Sequence, residues 1–153
     1  MKNIIQGLFE THIKTRNLEK SIEFYQEVLG LTLGHLEQRR RVAFFWIGAP
    51  GQAMLGVWET PEESWTKNHF AFTTTLEHLR TIREWLSEHG LEYRNFSGSN
   101  TGSLEVLAWM PAISVYFSDP DMHSLEFIAM LPDAPRPDLG VIAWERWEEL
   151  HGR

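Results

Sequence analysis

The feature that most constrains the fold is an internal repeat with a period of about 60 residues. Two glycines that end helix-like patterns, Gly30 and Gly90, occupy equivalent positions in the two halves, and each is followed by a leucine. In both halves an alternating strand pattern precedes the helix pattern, and further strand patterns follow it. Each half therefore predicts a βαβββ module. Since a module of this size buries too little apolar surface to be stable alone, we expect the two to pack together.

The repeat predicts one α+β domain over residues 1–131, with module one at about 7–60 and module two at about 67–131. In module one the patterns predict strands over 8–15, 42–47 and 53–58 and a helix from 17 to 30. In module two they predict strands over 69–74, 113–117 and 125–130 and a helix from 76 to 90. Residues 132–153 form a proline-rich C-terminal extension, and their apolar positions predict a docked segment.

Composition excludes several classes of function. The net charge of −7 argues against nucleic-acid binding, because phosphate contacts need clustered Lys and Arg. No apolar stretch approaches the roughly 18 residues that span a membrane, and no signal-peptide pattern precedes Gly7. The absence of cysteine excludes disulfides and thiolate metal sites. We therefore expect a cytoplasmic globular protein.

Polar residues interrupt strands that are otherwise apolar. Glu10, His12 and Lys14 share one face of the first strand at a period of two. His69 begins the first strand of module two, and Glu126 lies within the apolar last strand. Two imidazoles and one or two carboxylates from separate strands are a ligand set for Mn²⁺, Fe²⁺, Co²⁺, Ni²⁺ or Zn²⁺. The alternative is structural, with hydrogen-bonded histidines and Glu126 in an ion pair.

The sequence also predicts roles for Trp58, Lys14 and His123, which lie outside the candidate metal ligands. Trp58 is predicted to line an apolar substrate pocket, with aromatic core packing as the alternative. Lys14 is predicted to hold an anionic substrate. His123 follows the turn Asp119-Pro120-Asp121, where we expect it to be solvated.

Two motifs resemble the vicinal oxygen chelate superfamily. The run from Asn17 to Tyr25 (NLEKSIEFY), followed by Val-Leu-Gly-Leu, resembles the first helix of these proteins. The Asp-Pro-Asp turn followed by Ser124-Leu125-Glu126 resembles their last strand. The resemblance implies a cupped, mostly antiparallel sheet around a central metal or ligand cavity. It further implies one divalent ion (Ni, Zn, Co, Mn or Fe), a small-molecule substrate and a homodimer.

The resemblance also carries over individual site residues. His69 and Glu126 match metal-ligand positions, whereas the first-strand histidine of the superfamily falls on Glu10, two residues before His12. Both Glu10 and His12 therefore remain candidates for the ligand, and whichever is not the ligand is the candidate catalytic base. The fourth ligand of glyoxalase I falls on Gly56. Tyr116 resembles a substrate-facing tyrosine of the fosfomycin-resistance proteins.

Three functions follow as hypotheses. The first is a metal-dependent lyase or isomerase of the glyoxalase type that stabilises an enolate or oxyanion on a small oxygen-chelating substrate. The second is a non-haem Fe²⁺ ring-cleaving dioxygenase, which requires His12 as a ligand together with His69 and Glu126. The third is a metal-free protein that binds a small toxic compound.

Overall fold

The computed structural model describes residues 4–153. By its internal contacts the chain divides into two compact units. The first unit comprises Met1–Asn68 with Asp119–Met122, and the second comprises His69–Ser118 with His123–Arg153. The predicted α+β class is confirmed, because each unit carries its own mixed sheet flanked by helix.

The first unit is built on a four-stranded sheet with the order β1-β4-β3-β2. Its strands are β1 (Glu10–Thr15), β2 (Thr32–Glu37), β3 (Val42–Ile47) and β4 (Ala53–Glu59). The strands β1 and β4 run parallel, and the other two pairs are antiparallel. Polar and apolar residues alternate along β1, so that Ile13 and Thr15 are buried while Glu10, His12 and Lys14 lie on the opposite, exposed face.

The helical segment of the first unit differs from the single helix that its apolar spacing predicts. Helix α1 (Leu18–Glu23) is capped by Asn17, whose side chain accepts a hydrogen bond from the Lys20 backbone N–H. A π-helical turn then runs over Phe24–Val28. Phe24 and its neighbour Tyr25 are both buried in this turn.

The turn Asp119–Met122, distant in sequence from the rest of the first unit, belongs to that unit by its contacts. Asp121 accepts hydrogen bonds from the Arg16 guanidinium, at 2.7 Å, and from the Thr15 hydroxyl. The Tyr25 hydroxyl donates to Asp119 at 2.9 Å. Burial alone would raise the pKa of the Asp121 carboxyl, but the hydrogen bonds from Arg16 and Thr15 outweigh it and hold that pKa below its ordinary value.

The second unit carries a five-stranded sheet with the order β5-β8-β7-β6-β9. Its strands are β5 (His69–Thr73), β6 (Glu105–Leu107), β7 (Ala112–Ser118), β8 (Ser124–Met130) and β9 (Val141–Ala143). The pair β5/β8 is parallel and the remaining pairs are antiparallel, as in the first unit. Helix α2 (Leu76–Glu88) packs on β7 and β8, with Leu79 and Leu86 fully buried.

The C-terminal residues form part of the second unit. Strand β9 pairs with β6, and helix α3 (Trp144–Leu150) follows it directly. Trp147 of this helix is fully buried, and its indole N–H donates to Asp133 at 2.9 Å. Among the described residues, no helix is both long enough and apolar enough to cross a membrane.

The expectation that His123 is solvated is wrong. Its exposed fraction is 0%, and the two aspartates of the preceding turn are buried as well. The turn residues are polar, which is why the sequence indicated an exposed loop. Their side chains instead find partners inside the protein, as the bonds of Asp119 and Asp121 show.

Candidate metal centre

The second unit brings two predicted metal ligands together. His69 begins β5 opposite Ser124 of β8, and Glu126 lies two residues further along β8. The His69 Nδ1 atom lies 2.9 Å from the Ser124 carbonyl oxygen. Its Nε2 atom lies 3.2 Å from Glu126 Oε2. We call these two residues the β5/β8 pair.

The hydrogen-bond partners of the His69 ring determine which nitrogen carries a proton. A backbone carbonyl only accepts hydrogen bonds, so Nδ1 must be the N–H donor. In the neutral ring Nε2 then presents a lone pair toward the carboxylate of Glu126. Two electron-rich atoms at this distance are stable only with a proton or a metal cation between them. This carbonyl-bound Nδ1–H is the arrangement typical of histidines that bind metals through Nε2.

The carboxylate of Glu126 is held inside the protein by its neighbours. Its exposed fraction is 4%, and its Oε1 atom accepts a hydrogen bond from the buried Ser114 hydroxyl. Tyr116 lies directly opposite Glu126 on β7. Burial and the nearby Glu126 charge raise the pKa of the Tyr116 phenol to about 12. The phenol therefore stays protonated at neutral pH and can donate a hydrogen bond.

Tyr116 also connects the β5/β8 pair to a cationic and aromatic surface. Its ring stacks near His69 at a centroid distance of 5.9 Å, and the Arg94 guanidinium lies 5.0 Å from its centroid. Arg94 donates to the Ser124 hydroxyl at 2.9 Å. The ring of Phe96, half exposed, lies 6.4 Å from that of Tyr116.

The first unit brings together the two first-strand candidates, Glu10 and His12, which we call the β1 pair. The Glu10 Oε1 atom lies 3.4 Å from His12 Nε2. The Trp58 indole N–H donates to His12 Nδ1 at 2.6 Å. Gly56 lies opposite His12 on β4, and a Cβ atom at that glycine would come within 2.4 Å of His12 Nδ1. The imidazole thus occupies the space that a larger residue at position 56 would fill.

A pocket of about 380 Å³ adjoins the β1 pair within the first unit. Its lining residues are mostly polar: His12, Ile13, Lys14, Trp58, Glu59, Thr60, Thr66 and Asn68. The Lys14 ammonium donates to the Ser64 backbone carbonyl at 2.8 Å. The volume is within the range of small-molecule sites, so this pocket can hold a compact polar ligand.

Each unit thus brings two candidate metal ligands together. In residues 4–153 no group of three or more His, Asp or Glu side chains is arranged to hold a metal ion. The β5/β8 pair fits a metal by its donor chemistry, since nitrogen and oxygen donors on one divalent ion lie about 3 Å apart. The 3.2 Å separation of His69 Nε2 from Glu126 Oε2 agrees with this value.

The sequence analysis missed the residues that hold the β5/β8 pair in place. Ser114 binds Glu126 and Ser124 binds His69, through a hydroxyl and a backbone carbonyl respectively. A signal for Ser114 was available, because it is a polar residue two positions before Tyr116 in the apolar strand β7. The carbonyl of Ser124 leaves no signal, because every residue has one.

Comparison with known proteins gives the family. The model of the Glyoxalase/Bleomycin resistance protein/Dioxygenase superfamily matches residues 7–127. A metallothiol transferase, FosB from Staphylococcus haemolyticus, is 28% identical over 125 residues, which cover 80% of this chain and 83% of FosB.

Solved structures agree with this assignment. An integron cassette protein from the mobile metagenome of the Halifax Harbour sewage outfall is 36% identical, with a TM-score of 0.71 over 82% of this chain and 100% of its own. The lactoylglutathione lyase of Agrobacterium tumefaciens is 17% identical, with a TM-score of 0.64 over 82% of this chain and 95% of its own, and shares the fold. The resemblance seen in the sequence is thereby confirmed, and the chain belongs to the Glyoxalase/Bleomycin resistance protein/Dioxygenase superfamily.

Proposed function

We propose that the protein is a divalent-metal-dependent enzyme of the glyoxalase type, a lyase or isomerase that acts on a small oxygen-chelating substrate. The observation that carries the proposal is the β5/β8 pair, in which the Nε2 atom of His69 faces the buried carboxylate of Glu126 at 3.2 Å. The similarity to FosB supports the binding of a metal ion, because FosB is named a metallothiol transferase.

The residues of the β5/β8 pair have separate roles in this proposal. His69 and Glu126 would hold the ion, and the Ser114 hydroxyl and Ser124 carbonyl would keep their donor atoms in place. The ion, when bound, supplies Lewis-acid stabilisation of negative charge on substrate oxygens. The protonated phenol of Tyr116, stacked near His69, would donate a hydrogen bond to a substrate oxygen.

The remaining predicted site residues complete the proposal. Glu10 and His12 stay candidates for a further ligand and for the catalytic base, as the sequence predicted. Lys14 and Trp58 line the polar pocket of the first unit, where Lys14 would attract an anionic group on the substrate. We also propose that the protein is a cytoplasmic homodimer, which size-exclusion chromatography with light scattering would test.

The test is the metal content of the protein purified without an affinity tag, measured by elemental mass spectrometry. We expect about one ion per chain in the wild type and a loss of most of it in His69→Ala. His78→Ala is the matched control, because His78 is an exposed histidine on α2 of the same unit. Retention of metal in His69→Ala would contradict the proposal. A wild-type protein that takes up none of Ni²⁺, Zn²⁺, Mn²⁺ and Fe²⁺ would also contradict the proposal.

The identity of the ion then separates the two enzyme classes. Nickel, zinc or cobalt, with turnover of the adduct between a 2-oxoaldehyde and a thiol, would support the lyase. Iron, with oxygen-dependent cleavage of a catechol, would support the dioxygenase instead. The dioxygenase also requires His12 to be a ligand, and that ring has both nitrogens near other groups.

A further inference from the structure

We infer that the open face of the first-unit sheet is a binding site for planar aromatic carboxylates. The site is built on four rings, which we call the aromatic floor: His12, His35, Phe44 and Trp58. Two cationic side chains adjoin it, those of Lys14 and Arg40. The inference goes beyond the proposed function, because such binding needs neither a metal ion nor a reaction.

The pairing of the strands places three of the rings in one row across the sheet. His35 of β2 lies opposite Phe44 of β3, which in turn lies opposite Gly56 of β4. Gly56 lies opposite His12 of β1. Residues directly opposite one another in a sheet project their side chains from the same face. Ile13, which follows His12, is buried on the other face, so the row lies on the open face, where His12 and His35 are exposed.

The absence of a side chain at Gly56 makes room for the His12 ring on this face. A Cβ atom at Gly56 would lie 2.7 Å from His12 Cε1 and closer still to Nδ1, so the imidazole lies over the glycine. The Trp58 indole N–H holds the ring there by donating to Nδ1 at 2.6 Å. Both rings are therefore fixed in place before a ligand binds, which lowers the entropic cost of stacking on them.

The rings of the aromatic floor are close enough to form one continuous surface. Phe44 is central, with its centroid 6.0 Å from that of His12, 6.3 Å from that of His35 and 6.4 Å from that of Trp58. Phe44 and Trp58 are partly exposed, and the His12 side chain is 42% exposed. A flat ligand ring on this surface would contact several ring faces and edges at once, which favours aromatic over aliphatic compounds.

Positive charge lies at one end of the aromatic floor. Lys14 follows His12 on the same face of β1 and lies opposite Trp58 of β4. The Arg40 guanidinium lies 4.7 Å from the centroid of the Trp58 ring. At the other end the carboxylate of Glu10 lies 3.4 Å from His12 Nε2. We therefore expect a bound carboxylate group to lie toward Lys14 and Arg40, with the aromatic ring of the ligand over the floor.

The pocket beside the aromatic floor has the size and charge for such a ligand. Its volume of about 380 Å³ suits a compound of one or two rings. Glu59 lines this pocket as well, but its carboxylate is paired with Arg41 at 2.6 Å and accepts from the Leu18 backbone N–H at 2.9 Å. A carboxylate ligand therefore meets the ammonium of Lys14 beside an acidic group whose charge is already balanced.

The inference is tested by titration calorimetry of the protein with 2-naphthoate in the presence of a chelator. Two analogues are the controls, decahydro-2-naphthoate with the charge but no aromatic ring, and 2-naphthalenemethanol with the rings but no charge. We expect 2-naphthoate to bind about 10-fold more tightly than the saturated acid and about 5-fold more tightly than the alcohol. Equal affinities for the three compounds, or no binding of 2-naphthoate at millimolar concentration, would overturn the inference. Because the chelator removes metal ions, this outcome is independent of the proposed function.

The position of the ligand is tested by aromatic ¹H–¹³C NMR of the histidine rings. We expect 2-naphthoate to shift the Cε1–H signals of His12 and His35, because its ring current acts on groups directly beneath it. The signal of His78 is the control and should not move, since that residue is exposed on α2 in the second unit. Shifts confined to histidines outside the aromatic floor would overturn the inference.

Substitutions separate the contribution of the rings from that of the charge. We expect Trp58→Leu to weaken 2-naphthoate binding about 10-fold and Lys14→Met about 5-fold. Trp109→Leu and Lys20→Met are the matched controls, because Trp109 is exposed in the second unit and Lys20 is exposed on α1. Circular dichroism checks that each variant is folded, and Phe44→Leu takes the place of Trp58→Leu if that variant is not. Equal losses in the variants and their controls would overturn the inference.

Discussion

Asp121 in the first unit and Glu126 in the second are both buried carboxylates, with exposed fractions of 5% and 4%. Their partners differ. Asp121 accepts from the Arg16 guanidinium at 2.7 Å, from the Arg16 backbone N–H and from the Thr15 hydroxyl. Glu126 accepts from the Ser114 hydroxyl, and its other oxygen faces the exposed ring of His69.

The comparison shows that burial of a charge does not by itself mark a functional site. The guanidinium of Arg16 is always charged, so it neutralises Asp121 permanently and anchors the Asp119–Met122 turn. The imidazole of His69 is charged only when protonated, and half of its surface is open to solvent. Glu126 therefore has room for an external cation, whereas the bonding capacity of Asp121 is already used.

The largest expected effect is on folding stability and comes from Asp121. We expect Asp121→Asn to lower the free energy of unfolding by about 2 to 3 kcal/mol, because the buried carboxylate that accepts hydrogen bonds from Arg16 and Thr15 is replaced by a neutral amide. Asp138→Asn is the control, since Asp138 pairs with Arg136 at the surface and its loss should change stability much less. Urea unfolding measures both. Equal losses in the two variants would remove the distinction between the buried carboxylate and a surface one.

The same contact predicts a dependence on pH. The pKa of Asp121 is lowered in the folded state, so its contribution to stability is present above the ordinary value of 3.8 and is lost as the pH falls below it. The stability gap between the wild type and Asp121→Asn should therefore be constant near neutral pH and shrink in acid. Urea midpoints of both proteins over a pH series would show this. A gap that widens on acidification would contradict the assigned ion pair.

The next effect is on metal affinity and concerns Glu126 and the Ser114 hydroxyl that holds it. We expect Ser114→Ala to weaken metal affinity about 10-fold, because the Ser114 hydroxyl holds Glu126 Oε1 and so orients Oε2 toward His69. Glu126→Gln should weaken it further, by about 100-fold, since an amide is a poor ligand. Titration calorimetry measures both, with Ser118→Ala at the end of the same strand as the control. Unchanged affinity in both Ser114→Ala and Glu126→Gln would rule out Glu126 as a ligand.

The smallest effect is expected at Met122, next to Asp121. Its φ of 70° is a conformation that favours glycine, and its side chain is exposed. Met122→Gly should relieve this strain and raise stability by up to about 1 kcal/mol, partly offset by the greater freedom of the unfolded chain. Thermal unfolding with Met130→Gly as an exposed strand control would measure it. A loss of stability at position 122 equal to that at position 130 would show that the turn carries no strain.

Particular residues show how far the sequence could predict this protein. The alternation on β1 correctly placed Glu10, His12 and Lys14 on one face, and Asn17 correctly marked the start of α1. The π-helical turn over Phe24–Val28 was missed, because its apolar residues also fit an ordinary helix. The burial of His123 was missed because the polar turn that precedes it is typical of an exposed loop.

The sequence by itself determined the duplicated βαβββ order, the family, and the residue types available for a metal site, because hydrophobic periodicity and short motifs are local properties of the chain. Tertiary structure alone decided what each histidine can do. An indole N–H from Trp58 meets Nδ1 of His12, whereas a carbonyl from Ser124 meets Nδ1 of His69. One partner donates and the other accepts, so in the neutral rings the nitrogen near the carboxylate, Nε2 in both, carries the proton in His12 and the lone pair in His69. These partners lie 46 and 55 residues away in sequence, and only the pairing of β1 with β4 and of β5 with β8 brings them within hydrogen-bond distance.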